Sequence, residues 1–328
     1  MLSPVLSRAA VDPRVQPCGL IEAADPAKWS GIDSQSFAFR HKLGDLPLFE
    51  LPRLAALSEK VFDRIDYGRY FDADEMKLGK PELKRRLRNA IEGVGQSRRW
   101  LALHFVNEMD PEYDAVLQGL LADVEHMVGQ PIRQRMSWAA MTVFMNSPGL
   151  AVPYHFDHET NFLLQVHGEK DLSLYPCNDR WVLPETDVED FYRHNPIATR
   201  YRDEVERTVT HYQLLPGVGV HHPPLAPHRI KNGDQVSISV SFYYTMPETE
   251  YRARVHQVNF LLRKLGLQPR PPGQSALVDD AKNRFIRMLS KPHPRTHDEA
   301  LYSGIERLTA PARIARKMLH RAPHRAMG

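Results

Sequence analysis

Residues 155–176 read HFDHETNFLLQVHGEKDLSLYP, and the fold is decided there. Two short runs of strand-forming residues, NFLLQV and DLSLYP, flank a polar turn that contains Gly168. Outward from this stretch, MSWAAMTVFM precedes it, and TVTHYQLL and QVSISVSFYY follow. Turn residues punctuate these runs at Ser147-Pro148-Gly149, Pro216-Gly217 and Asn232-Gly233. The Asn232-Gly233 pair, between HRIK and an alternating run, has the form of a two-residue hairpin turn. Short strands with this punctuation predict a β-sandwich or barrel of the jelly-roll kind over residues 135–250.

Helical patterns flank this block. Leu54, Leu57, Val61 and Ile65 recur at spacings of three and four, and PELKRRLRNAIEGVG opens at Pro81 and closes near Gly93. Trp100 to Val106 alternates like a strand, and Ala115 to Val128 is helical again. After Tyr251, VHQVNFLLRKLG reads as helix, QPRPPGQ as a linker, and the remainder as a basic helical tail. The prediction is an α+β chain: an irregular arm over 1–30, a mostly helical region over 31–134 packing on the core, the β core over 135–250, and a helical basic region over 251–328.

The chemistry begins with His155 and Asp157. Residues i and i+2 of a strand project from one face, so an H-x-[DE] pair on a strand can chelate. Two imidazoles and one carboxylate on one face of iron(II) leave positions open for substrate oxygens and dioxygen. Three such pairs occur among sixteen histidines: His155-Phe-Asp157, His167-Gly-Glu169 and His297-Asp-Glu299. His167 falls in a turn, and His297 in the helical tail, where i and i+2 do not face each other. His155 and Asp157 open the strand block. A distal ligand must come from His211, His221, His222 or His228.

These residues resemble the JmjC-type, cupin-like oxygenases that use iron(II) and 2-oxoglutarate. The likeness is to the hydroxylase branch, which includes the asparaginyl hydroxylase of hypoxia-inducible factor. The matching positions are His155, Asp157, Asn161, Gln165, Gly168, Lys170 and Pro176, followed by LPGVGVHHPPLAPHRIKN, within Thr142 to Met246. The resemblance implies a double-stranded β-helix (jelly-roll or cupin) core with flanking N- and C-terminal helices. It selects His228 as the distal ligand, makes His155, Asp157 and His228 the metal set, and assigns Lys170 and Asn161 to 2-oxoglutarate. It further implies Fe(II), 2-oxoglutarate as co-substrate, O2, and hydroxylation of a C–H bond in a peptide or protein side chain. Asp157, in place of Glu, leans towards the hydroxylases over the histone demethylases.

A lysine inside such a barrel suits the distal carboxylate of 2-oxoglutarate, a charge-assisted hydrogen bond. Gln165 shares a strand face with Asn161 and is expected to line the cavity or contact substrate. Val152 stands where hydroxylases of this type often carry a threonine for the co-substrate, so a second donor must come from elsewhere. Ser237, Ser239, Ser241 and Tyr243 lie on one strand face, and RWLALHF offers His104; Ser239, Tyr243 and His104 are the candidates retained. The His221-His222 pair replaces apolar residues of the family pattern, and His222 is the candidate to face inward.

The bulk numbers bound the alternatives. A hydrophobic fraction of 42% and a charged fraction of 25% exclude wholesale disorder. A net charge of +3 implies no polyanionic partner by itself, although the basic stretch after Lys282 leaves nucleic acid as an alternative. Cys18 and Cys177 form no C-x-x-C motif, which fits a reducing compartment and a cytoplasmic location. No window suggests a membrane span, and the N-terminus reads as a ragged leader without a secretory h-region. The expected partner is a peptide, protein or small-molecule substrate, with the flanking helices shaping the entrance or forming a homodimer contact. The rival readings are the same chemistry on a free amino acid or metabolite, another cupin-type metalloenzyme, and a non-catalytic metal-binding or regulatory protein.

Overall fold

Strand alternation over residues 135–250 builds two antiparallel sheets. The computed structural model describes residues 12, 14–22, 25–64, 70–72, 74–96, 98–195 and 199–321, the side chains of 26, 64 and 311–321 excepted. The leader, Ile65 and the end of the basic tail lie outside the described residues. In chain order the strands are β1 (Ile21–Glu22), β2 (Phe37–His41), β3 (Trp100–Leu103), β4 (Trp138–Asn146), β5 (Ala151–His155) and β6 (Thr160–His167). They continue as β7 (Lys170–Leu174), β8 (Thr210–Leu214), β9 (Val218–His222), β10 (His228–Asn232) and β11 (Ser237–Thr245). One sheet has the order β1-β2-β9-β6-β11-β4-β3, the other β5-β10-β7-β8. From β4 to β11 each successive strand changes sheet, except that β7 and β8 pair with each other. This winding is a jelly roll, and the fold is the expected α+β double-stranded β-helix with flanking helices.

The Asn232-Gly233 hairpin does not form. β10 pairs with β5 and β7, whereas β11 pairs with β4 and β6. The backbone N–H of Asn232 donates to Leu150 O (2.8 Å), and that of Gly233 to Glu169 O (3.0 Å). Donors that a hairpin would have used are committed to neighbouring corners, so the pair turns the chain from one sheet to the other. Gly168 turns the β6–β7 corner at φ 67°, and a Cβ there would lie 2.2 Å from Val236 O. Gly168→Ala is expected to destabilise the fold by about 2 kcal/mol or more, because it adds strain and a backbone clash. Urea unfolding should show a lower midpoint at unchanged slope; an unmoved midpoint would contradict the corner geometry.

Alternation also divides the larger sheet into two chemical faces. Its outer face presents Met141, Val143, Phe162, Leu164, Val240 and Phe242 to the main apolar core. The rings of Phe162 and Phe242 stack at 4.6 Å. Leu54 and Leu57 from helix Leu51–Val61, Leu87 from helix Lys80–Glu92, and Leu117 and Leu121 from helix Pro111–Val128 close over that face. The last of these begins before the expected Ala115. Asp110 caps it by accepting from the Glu112 N–H (3.1 Å), and Pro111 starts it with φ already suited to helix.

The N-terminal region also contributes β2, which the helical reading passed over. Phe37, Phe39 and His41 alternate as buried residues there, a pattern already present in FAFRH. The inner face of the larger sheet is mostly polar, with Asn161, Gln165, Ser237, Ser239 and Ser241. An apolar plug of Leu163, Leu172, Leu174, Leu214 and Val220 fills part of the barrel.

A second compact unit comprises residues 185–198 and 250–328. Within it, Gln257 is fully buried and donates to the carbonyls of Tyr192 (3.1 Å) and Leu301 (3.0 Å), which ties its helices together. No helix among the described residues is long and apolar enough to cross a membrane.

Candidate metal centre

Neighbouring strands of the smaller sheet bring the two histidines together. His155, last residue of β5, pairs in register with His228, first residue of β10, and their ring centroids lie 4.2 Å apart. The register slips between His228 and Ile230, which pairs with Val152, so Pro153 occupies a bulge. β5 is an edge strand, where a residue lacking N–H is tolerated, and bulges re-aim side chains beside such sites. His155 Nδ1 donates to Pro153 O (2.7 Å) and His228 Nδ1 to Ala226 O (3.0 Å). A carbonyl only accepts, so each Nδ1 carries the proton and each Nε2 presents a lone pair.

Asp157 closes the set. Its Oδ2 lies 3.8 Å from His228 Nε2, and the ligand atoms of all three residues lie within 4.8 Å of one another. Burial, with the His155 imidazole adding to it, lowers the His228 pKa to about 4, against the opposing pull of Asp157. A neutral ring is the form that ligates. Two imidazole nitrogens and one carboxylate with a free side towards the cavity match the donor set of a facial triad for iron(II).

Lys170 and Asn161 reach the same cavity, which measures about 560 Å³. Lys170 is 2% exposed, and its Nζ crosses between the sheets to donate to Ser239 Oγ at 2.8 Å. Burial lowers its pKa to about 7. On β10, Asn232 pairs with Lys170 and His228 with Leu174, so β7 separates the lysine from the metal centre by four residues, about 13 Å of strand. Asn161 accepts at Oδ1 from Ser241 Oγ (2.6 Å), which leaves its Nδ2 to donate elsewhere. Trp100, His104, Phe144, Val152 and Ile230 form the less polar wall, and His222 lies beside His228.

Three expected cavity residues sit elsewhere. Gln165 shares the inward face of β6 but is fully buried beyond the cavity, with Nε2 donating to His167 O (2.7 Å) and Ser237 Oγ (2.9 Å). Ser239 lies behind Lys170, its hydroxyl occupied by the ammonium group. Tyr243 places its hydroxyl 3.2 Å from Thr142 Oγ1, which is 3.3 Å from His104 Nδ1, so only His104 of that chain lines the cavity. The wall contains Trp100, Phe144 and Asn146, which had not been singled out for it, and Ser241, which had been named on its strand face. Phase could have found two of them: Phe144 and Asn146 alternate along β4.

The adjacent histidines of β9 point to opposite faces, as alternation requires. His221 faces outward, its two nitrogens beside Ile32 O and Asn161 O, while His222 faces inward. His211 lies on β8 with Nδ1 3.2 Å from Ser173 Oγ. His167 is exposed at its corner, and His297 begins the helix His297–Arg321. A further cluster, Glu185, Glu189 and His256, belongs to the helical unit. Arg263 Nε donates to Glu189 at 2.7 Å, so this cluster carries a cation of its own.

The profile of the family described as cupin-like domain matches residues 53–250. A search of the curated proteins finds no match. Among solved structures, the chain is similar to Escherichia coli ycfD at 18% identity and a TM-score of 0.33, over 59% of this chain and 49% of that one. It is also similar to the Escherichia coli ribosomal oxygenase YcfD in complex with cobalt and 2-oxoglutarate, at 15% identity and a TM-score of 0.32, over 59% and 47%. A DMSP lyase structure matches at 17% identity and a TM-score of 0.22, over 33% of this chain and 39% of that one. The chain spans half or less of the length of each of these solved proteins.

Proposed function

Since this chain belongs to the cupin-like domain family, we propose that it is an iron(II)- and 2-oxoglutarate-dependent oxygenase hydroxylating a C–H bond of an amino-acid side chain in a peptide or protein. One observation carries the reading: a single cavity holds the His155, Asp157 and His228 donors and, further along β7, a buried lysine that no carboxylate among the described residues answers. A dicarboxylic 2-oxo acid has the complementary form, a chelating end for the metal and an anionic end for Lys170. His155, Asp157 and His228 would hold iron(II), which would supply the coupling between oxidative decarboxylation of 2-oxoglutarate by dioxygen, to succinate and carbon dioxide, and hydroxylation of a substrate C–H bond.

The residues divide the remaining work. His155 and His228 are held in the ligating tautomer by backbone carbonyls, so they need no rearrangement on loading. Asp157 contributes one negative charge, which leaves a divalent ion enough positive charge to attract an anionic co-substrate. Lys170, whose pKa burial lowers to about 7, is held in its protonated form when a carboxylate sits opposite it, because an opposite charge favours the charged form. Asn161 Nδ2 is free to donate to a co-substrate oxygen, since Ser241 holds the other end of its amide. Trp100, His104 and Phe144 are left to meet the substrate. Cys18 and Cys177 are not joined in a disulfide, which suits a reducing, cytoplasmic setting.

The test is to supply the protein with iron(II), 2-oxoglutarate and oxygen and to follow succinate, with and without a peptide library. Succinate that rises with particular peptides is the expected result. Absence of succinate, together with no binding of 2-oxoglutarate to the metal-loaded protein, would reject the oxygenase and favour a metal-binding or regulatory cupin.

A further inference from the structure

His222 is a histidine in a position where an apolar side chain would cost less. It is 4% exposed, and neither ring nitrogen has a hydrogen-bond partner. Buried polar groups are nearly always paired, and an orphaned one is costly. Its neighbour His221 shows the ordinary solution, with a ring N–H placed to donate to a backbone carbonyl. His222 instead faces the cavity, paired across the sheet with Asn161 and with its ring centroid 4.9 Å from that of His228. The group of mutually close ligand atoms comprises His155, Asp157 and His228 and does not extend to His222. Its missing partner is therefore a molecule that occupies the cavity beside the metal.

We propose that His222 donates a hydrogen bond to the metal-bound carboxylate of the 2-oxo acid, acting with Asn161 at the chelating end while Lys170 holds the distal end. This rests on the oxygenase reading above. A neutral imidazole has one N–H to give, and an anionic oxygen next to His228 and Asn161 is the acceptor the site lacks. The apolar residue that the resemblance puts at this position would offer no such donor, so the contact is a property of this chain.

The experiment is calorimetric titration of manganese(II)-loaded protein with two probes, 2-oxoglutarate and oxalate, the second lacking a distal carboxylate. Four proteins are compared: the parent, His222→Leu, His222→Gln and Lys170→Met. His222→Leu is expected to weaken both probes by about tenfold or more, the worth of one hydrogen bond to a charged oxygen, while manganese affinity is unchanged. His222→Gln, which keeps a donor, should recover most of the loss. Lys170→Met should weaken 2-oxoglutarate alone. Retained manganese binding shows that each variant is folded. If His222→Leu binds both probes as the parent does, or loses manganese along with them, the contact is overturned. A parent that binds manganese but not 2-oxoglutarate sinks the oxygenase reading and this inference with it.

Discussion

Asp157→Ala is expected to weaken iron(II) or manganese(II) binding by more than about a hundredfold, since loss of a direct ligand should exceed the 10–100-fold cost of losing a supporting contact. Succinate formation should fall to background. The substitution leaves two imidazoles facing a divalent ion with no carboxylate to offset its charge. Because the Asp157 side chain is 41% exposed, the metal-free fold should be little affected, and its melting temperature should stay near that of the parent. Asp157→Glu keeps the charge but lengthens the arm by one methylene, so intermediate affinity is expected. Direct metal titration separates these cases. A variant that holds metal as tightly as the parent would move the centre elsewhere, with Glu185, Glu189 and His256 the next set to examine.

Lys170→Met should strongly weaken binding of 2-oxoglutarate and yet stabilise the unliganded protein. Burial lowers the lysine pKa from 10.5 to about 7 in the folded state. Between these values the unfolded chain binds more protons than the folded one, so the parent gains stability as pH rises through that window. Below about pH 7 both states are protonated, and the penalty is present in full. Methionine removes a penalty on the order of a few kcal/mol and gives back about 1 kcal/mol for the hydroxyl of Ser239 left unpaired. The variant should therefore melt higher than the parent at pH 6, with the difference closing towards pH 10. Added 2-oxoglutarate should raise the melting temperature of the metal-loaded parent and not that of the variant. Lower stability of Lys170→Met at pH 6 would make the lysine a structural strut between the sheets.

The two halves of the metal motif were legible to different degrees. His155 and Asp157 were found as an i, i+2 pair by strand period, although only His155 belongs to β5 and Asp157 lies two residues past its end. His228 had three rivals, and choosing among them needed a family pattern, because nothing local distinguishes one strand histidine from another. Its role depends on β10 lying beside β5, a contact between residues more than seventy positions apart. Gln165 and Ser239 show the limit of phase reasoning. Both are on inward faces, as the alternation implied, but depth along the barrel decided that one seals its interior and the other backs Lys170.

Sequence alone determined what short-range physics controls: where the main strands of the core and most of the helices run, which residues of each strand share a face, that Gly168 must turn a corner, and that His155 and Asp157 can chelate. These follow from steric limits and side-chain periods within a few residues. Tertiary structure decided which strands became neighbours. It turned Asn232-Gly233 from a hairpin into a passage between sheets, set His228 opposite His155, and faced His222 into the cavity without a partner. The reason is that a strand's hydrogen-bonding edges are chemically alike, so its partner is selected by how the whole jelly roll closes around its core.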